Sequence, residues 1–270
     1  MTYFGFLVRF LVVPSLVLLL IALWDRRRGR QAPAELRAFP LWAAIAIHML
    51  IALVYTTPWD NYLVATNVWW YDPELVTGIT IGWVPIEEYT FFLLQPILAG
   101  LWLGFLSRRL VLPDEPLRPR LRLWLTVAAG ALWLVMVGIL VFNWRPGTYM
   151  GLIFGWALPP IALQLAFGGD ILWRYRRLVF LTIATIGVYL SLADALAISF
   201  TIWTIDPAQS LPFLIGGVLP IEEFTFFVIT CTLLTFGVTL LLAEESHRRF
   251  AAIRRWWVAR RQPQVEAEAG

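Results

Sequence analysis

Several residue types that soluble proteins and cofactor enzymes depend on are rare or missing in this chain. It has no lysine, one cysteine and two histidines among 270 residues, and charged residues make up only 14% of it. The single cysteine, Cys231, excludes a disulfide within the chain and a zinc site built on cysteines. The lack of lysine excludes retinal bound as a Schiff base, and the lack of a Gly-x-Gly-x-x-Gly stretch argues against a flavin on a Rossmann fold. A soluble domain carries about 25% charged residues, so a water-soluble globule is excluded as well.

Long apolar runs fill most of the sequence. A transmembrane helix needs about 20 mostly apolar residues, and seven runs qualify: 4–24, 41–57, 76–106, 123–142, 149–168, 178–201 and 211–243. The third and seventh are too long for a simple crossing, so part of each is expected in the interface or tilted. The 15 tryptophans favour aromatic belts at the membrane surfaces. The sequence therefore predicts an all-α integral membrane protein with seven transmembrane helices.

The arginines predict the orientation of these helices. Nineteen of the 21 lie in alternate connections or after the last run, at 26–37, 108–122, 174–177 and 248–261. Only Arg9 and Arg145 lie elsewhere. The positive-inside rule then predicts a multi-pass protein of the cell membrane with its N-terminus outside and its C-terminus in the cytoplasm. The basic charge is explained by topology and by contact with anionic lipid, so no nucleic-acid partner is expected.

An internal repeat divides the chain into halves. Residues 85–92 read PIEEYTFF and residues 220–227 read PIEEFTFF, at an offset of 135, and Asp60 and Asp194 lie upstream at an offset of 134, so one residue is inserted between. With one helix linking them, the halves are expected to run in the same direction as two parallel three-helix repeats. The predicted organisation is a first repeat at 1–110, a linker helix at 111–147, a second repeat at 148–245 and a basic cytoplasmic tail at 246–270.

Paired glutamates in the repeat are the candidate catalytic residues: Glu87, Glu88, Glu222 and Glu223. Each pair lies about eleven residues into its run, about 16 Å deep at 1.5 Å per residue and thus close to the bilayer midplane. If the helix restarts at Pro85 or Pro220, the glutamates lie in its first turn instead. Two close carboxyl groups resist double ionisation, so a pair can supply both an acid and a base. The alternative is a polar clamp between helices.

Aromatic residues beside the glutamates are the candidate substrate-binding groups. They are Phe91, Phe92, Phe226, Phe227, Tyr89, Phe224 and Trp83. Aromatic faces stabilise a cation where water is excluded, although lipid-facing or packing roles account for many such rings. Asp60 and Asp194 are read either as functional acids or as polar groups at helix ends. His48 is read either as a packed histidine or as a proton relay, and two histidines so far apart predict no metal site.

The doubled three-span unit, each copy with Pro-x-Glu-Glu before an aromatic pair, resembles the membrane-embedded lycopene cyclases in their fused form. The resemblance covers nearly the whole chain, without the phytoene synthase that fungal members carry. It implies acid-catalysed cyclisation of the acyclic ends of lycopene to β-ionone rings, with no redox change and no cofactor. It also implies an apolar carotenoid substrate reached sideways from the bilayer, other carotenoid-pathway enzymes as partners, and the four glutamates as catalytic residues.

Three alternatives stay open at this point. The same family includes cyclases of longer C50 carotenoids, so the substrate is not fixed. A parallel repeat with acids inside the membrane is also the plan of some proton-coupled carriers, although few other polar residues line the runs. A carotenoid-binding relative without activity is the third alternative. The ring type, the number of ends cyclised and the role of each glutamate do not follow from the sequence.

Overall fold

Seven long helices form the computed structural model, which describes residues 1–111 and 115–261. They are α1 (Tyr3–Arg27, with a π-helical turn at Val8–Val12), α2 (Leu41–Ala65), α3 (Ile86–Ser107), α4 (Pro119–Val141), α5 (Thr148–Arg174), α6 (Arg176–Ser199) and α7 (Ile221–Leu242). All seven are long and apolar enough to cross a membrane. The predicted class, an all-α membrane protein with seven spanning helices, is confirmed. An eighth helix, α8 (Glu244–Arg261), follows at the C-terminus.

In the two runs that are too long for a simple crossing, the first ten residues, 76–85 and 211–220, are not helical and contain hairpins of short strands. Strands β2 (Thr80–Ile81) and β3 (Val84–Pro85) pair as one hairpin, and β5 (Leu214–Ile215) and β6 (Leu219–Pro220) pair as another. Glycines at positive φ turn both hairpins: Gly82 in the first, Gly216 and Gly217 in the second. The expectation that the glutamates lie eleven residues into a span is therefore wrong. Helices α3 and α7 begin only at Ile86 and Ile221, so the glutamates lie in their first turns.

A third strand pair joins the two halves. Strand β1 (Trp69–Tyr71) runs antiparallel to β4 (Trp203–Ile205), with Trp69 opposite Ile205 and Tyr71 opposite Trp203. Because each strand follows the second helix of its own half, this pairing holds the two halves together at the end of the molecule where the hairpins lie.

The same hydrogen bonds recur in both halves. The backbone N–H of Tyr3 donates to the Leu75 carbonyl (2.8 Å), and that of Tyr149 donates to the Gln209 carbonyl (3.0 Å). Likewise, Tyr189 Oη donates to the Phe10 carbonyl and Tyr55 Oη to the Trp156 carbonyl, both at 2.9 Å. These matches agree with a duplicated unit, whereas the parallel arrangement of the halves and the predicted domain boundaries stay predictions. Residues 112–114 of the predicted linker and 262–270 of the predicted tail lie outside the described residues.

Buried ion pairs tie the helices together at the arginine-rich end. Asp25 at the end of α1 binds Arg108 (3.0 Å) and Arg109 (2.8 Å) after α3, and Asp170 in α5 binds Arg249 in α8 (2.7 Å). The 22 residues of α3 span about 33 Å at 1.5 Å per residue. The glutamates at its start therefore lie at the opposite end of the bundle from these ion pairs.

Candidate active site

The first glutamate of each pair holds the hairpin that precedes it. Glu87 Oε1 accepts the backbone N–H of Thr77 at 2.6 Å, and Glu222 Oε1 accepts that of Leu211 at 2.7 Å. Both glutamates are buried. They follow an extended proline, Pro85 or Pro220, which caps the helix and turns the chain back toward the hairpin. Glu87 and Glu222 therefore contact backbone of their own half.

The second glutamate of each pair faces a cavity shared by both halves. Its volume is about 40 Å³, and both Glu88 and Glu223 line it. Glu88 accepts hydrogen bonds from the hydroxyls of Tyr3 and, at 3.2 Å, Tyr71, whereas Glu223 accepts one from Tyr149 at 2.5 Å. The structure thus divides each pair, because adjacent residues in the first turn of a helix point in different directions.

Two buried aspartates complete a ring of four carboxyl groups around the cavity. Asp60 in α2 and Asp194 in α6 are 1% and 0% exposed, and each has one oxygen without a hydrogen-bond partner. Asp194 accepts the Trp203 indole N–H at 3.0 Å and lines the cavity together with Glu223. Because no arginine or histidine is among the lining residues, four ionised carboxylates would be uncompensated, and the site must hold protons.

Tyr71 keeps its proton beside these acids. It lies in β1, outside the spanning helices. Burial raises the pKa of its hydroxyl well above the usual value of about 10, and the nearby Asp60 and Glu88 carboxyls raise it further. The Tyr71 hydroxyl therefore remains a donor to Glu88 over the whole physiological pH range.

Aromatic rings form most of the remaining wall. Four of the predicted substrate-binding residues line the cavity: Phe91, Phe92, Phe226 and Phe227. The rings also cross between the halves: Trp69 packs edge-on against Tyr149 (centroids 5.3 Å apart), and Trp203 packs against Tyr3 (5.0 Å). The cavity is therefore an apolar space whose few polar atoms belong to carboxyl, hydroxyl and indole groups.

The other three predicted aromatic residues lie outside the cavity. Tyr89 Oη donates to the Ile81 carbonyl (2.8 Å) and accepts from Asn61 (3.0 Å), which fixes the first hairpin to α2. Trp83 lies in the turn of that hairpin with 67% of its surface exposed. Phe224 lines a separate pocket between α6 and the second hairpin. Their predicted contact with substrate stays a prediction, and each has another contact in this structure.

The tyrosines of the site, Tyr3, Tyr71 and Tyr149, were not predicted from the sequence, although a short repeat marks the first and the last of them. Tyr3-x-Gly5 returns as Tyr149-x-Gly151, at an offset of 146 rather than the 135 of the glutamate motif. Asp60 and Asp194 were weighed as acids or as helix-end groups, and the structure places both at the cavity. Trp59, also part of the wall, carried no such signal. Within residues 1–111 and 115–261, no group of three or more potential ligands is arranged to hold a metal ion.

Comparison with known proteins gives clear relatives. The chain is 37% identical to a lycopene beta-cyclase of Halobacterium salinarum over 222 residues, which are 81% of this chain and 86% of the relative. It is 33% identical to a bifunctional lycopene cyclase/phytoene synthase of Podospora anserina and 31% identical to one of Aspergillus oryzae, over 71% and 74% of this chain. The chain spans 34% of the length of each of these fungal relatives. No protein-family model and no solved structure matches it.

The hydrogen bond from Thr77 to Glu87 generates a prediction about the first hairpin. In Glu87→Gln the amide oxygen still accepts the Thr77 N–H, whereas in Glu87→Leu nothing does. An ordinary hydrogen bond contributes about 0.5–1.5 kcal/mol, so Glu87→Leu should speed amide exchange at Thr77 by about two- to tenfold. Hydrogen exchange read by mass spectrometry checks this. Equal protection in the Gln and Leu variants would show that Glu87 does not hold the hairpin.

Proposed function

The chain belongs to the lycopene cyclase family, and on that basis we propose that it cyclises the acyclic ends of lycopene to β-ionone rings in carotenoid biosynthesis. The observation that carries this proposal is the position of Glu88 and Glu223, one from each half, on a single apolar cavity with tyrosine donors. A cyclase of this kind needs an acid and a base that face the same end group. The carotenoid substrate is apolar, and the multi-pass fold places the site within reach of the bilayer.

The reaction is an isomerisation that consumes and returns one proton. An acid adds a proton to the terminal double bond, which leaves a tertiary cation. The electron pair of the next double bond then forms the ring carbon–carbon bond, and the positive charge moves to a ring carbon. A carboxylate takes a proton from the neighbouring carbon, and that C–H electron pair becomes the ring double bond. No electrons are gained or lost, so the chemistry needs no redox cofactor.

The contacts of the carboxyl groups suggest how the roles divide. Glu223 and Asp194 line the same cavity with no basic side chain among its lining residues, so one of them can keep a proton, which makes this pair the source of the acid. Glu88 accepts hydrogen bonds from two tyrosine hydroxyls, which stabilise its ionised form and suit it to act as the base. The phenylalanine and tryptophan faces of the wall stabilise the cation between these steps, and their exclusion of water prevents its capture as an alcohol.

Pigment analysis tests the cyclase and its site together. Cells that accumulate lycopene should convert it to cyclic carotenoids when they express this chain. Glu223→Gln should lower ring formation by about a hundredfold or more, the usual contribution of a general acid. Glu88→Gln should lower β-ring formation similarly and shift residual product toward rings with a displaced double bond, because the cation then loses another proton.

Glu87→Gln and Glu222→Gln are the matched controls. They change the neighbouring residue but keep an acceptor for the hairpin amide, so ring formation should remain within a few-fold of the parent. If these variants lose activity as fully as Glu88→Gln and Glu223→Gln, the division of the pairs is wrong. Unchanged lycopene with protein present in the membrane would contradict lycopene as substrate, and an acyclic C50 carotenoid would then be tested.

The orientation in the cell membrane is proposed from the arginines. Arginines gather at one end of the bundle, where several pair with Asp25 and Asp170, and we assign this end to the cytoplasm, with the N-terminus and the acid cavity toward the outer side. Alkaline phosphatase, which is active only outside the cytoplasm, should be inactive when fused to the C-terminus and active when fused after Trp144. The reverse pattern would invert the assignment. Enzymes that deliver lycopene to the same bilayer stay predicted partners.

A further inference from the structure

A second, larger space lies on the lipid-facing side of the bundle. Helices α2 and α5 both pack against α7, and between them runs a groove with α7 as its floor. One section, about 550 Å³, lies toward the arginine-rich end, and the next, about 110 Å³, lies toward the acid cavity. His48, Ile51 and Gln164 line both sections, so the two are continuous.

One face of each helix leads from this groove to the acid cavity. On α2 the lining residues follow a helical spacing of three to four, from 47–48 through 51–52 and 55–56 to Trp59 and Asp60 at the cavity. On α7 the corresponding face runs from Leu241 back to Glu223. The 18 residue steps between Glu223 and Leu241 rise about 27 Å at 1.5 Å each, close to the 30 Å thickness of the hydrocarbon core.

Stacked rings separate the groove from the cavity. Trp156 lines the groove and stacks on Trp59 (centroids 4.6 Å apart), which stacks in turn on Phe226 (5.7 Å) at the cavity wall. Tyr55 holds Trp156 from the other side through its hydroxyl bond to the Trp156 carbonyl at 2.9 Å. A cavity of about 40 Å³ is smaller than a carotenoid end group. The aromatic rings must therefore move apart when a substrate end reaches the acids.

The equivalent position in the other half is filled. Gly237, in the floor of the groove, corresponds to Trp102 in α3 at the repeat offset of 135, and Ile51 corresponds to Thr185 in α6 at 134. The Trp102 indole N–H donates to Thr185 Oγ1 at 2.7 Å, so the tryptophan side chain bridges α3 and α6 where the groove would lie. The two halves have thus diverged at this point: in one, the glycine lets the His48 side chain pack against the floor of the groove, and in the other a tryptophan bridges the equivalent helices.

We propose that this groove binds the extended polyene of the carotenoid while one end group lies at the acid cavity. The proposal rests on the proposed function and adds the site for the rest of the substrate. The groove is open to lipid, since Ile51 and Leu163 are 51% and 72% exposed, and this opening fits the expected sideways access from the bilayer. His48, Gln95 and Gln164 each form a hydrogen bond within the chain, and only the Gln164 Oε1 atom among them is buried without a partner in the described residues. Most of the other lining side chains are apolar, so the walls suit an apolar rod.

The test fills the groove and measures retained carotenoid and product separately. Ile51→Trp places a large ring in both sections, and Val54→Trp places the same ring on α2 at a site that is 66% exposed and lines neither section. Each is made in the active chain and in a Glu88→Gln/Glu223→Gln background that should trap substrate. Because its ring occupies the space of the polyene, Ile51→Trp should lower cyclisation and lycopene retained after purification by about tenfold, or about 1.4 kcal/mol, with Val54→Trp near the parent.

The outcomes distinguish a failure of the proposed groove from a failure of the proposed activity. If the parent cyclises lycopene but Ile51→Trp equals Val54→Trp in both measurements, the groove holds only lipid and the proposal is overturned, while the cyclase stands. If the parent forms no rings but Ile51→Trp still removes bound lycopene, the groove binds carotenoid and the proposed activity fails. Gel filtration and melting in detergent verify folding. If Ile51→Trp does not fold, Leu163→Trp on the opposite wall takes its place.

Discussion

Carboxyl groups buried in an apolar cavity are the constraint on which the rest of this structure depends. An unpaired carboxylate in the membrane costs at least a few kcal/mol, yet four carboxyl groups line one cavity here with no basic side chain among its lining residues. Tyrosine hydroxyls and an indole N–H donate to these carboxyl groups, and protons on some of the acids meet the rest of the cost. The same conditions make the site reactive, because a proton held in a dry, aromatic space can be given to a double bond that water would leave alone.

The duplicated unit explains how such a site is assembled. Each half supplies a glutamate, an aspartate and a tyrosine, and neither half encloses the cavity alone. Strands β1 and β4 pair across the halves, and through them Trp69 reaches Tyr149 and Trp203 reaches Tyr3. Divergence between the halves then adds what a symmetric site would lack. Gly237 stands where the other half has Trp102, and the groove is present only on the Gly237 side in the described residues. Glu88 and Glu223 accept hydrogen bonds from different donors, so the acid and the base need not be alike.

Much of this could be predicted from the sequence, and the remainder has physical reasons. The apolar runs predicted the seven helices, and the doubled motif located the glutamates and the four phenylalanines that line the cavity. The hairpins were not predicted because residues 76–85 are as apolar as a helix; their backbone differs from a helix, with Gly78 and Gly82 at positive φ. The division of each glutamate pair depends on which backbone amide lies nearby, which spacing does not encode. Tyr3 and Tyr149 come from the first turns of α1 and α5, and Tyr71 comes from β1; only the fold brings them to the motif.

Deuterium incorporation tests the central claim, proton addition by a buried acid followed by proton loss to a buried base, most directly. Membranes containing the chain are supplied with lycopene in heavy water, and the rings formed are examined by mass spectrometry and NMR. Because carboxyl and tyrosine protons exchange with solvent before reaction, the account predicts one deuterium per ring, on the carbon that receives the proton. Rings formed without deuterium would contradict it, since the added hydrogen would then come from carbon and not from an exchangeable acid.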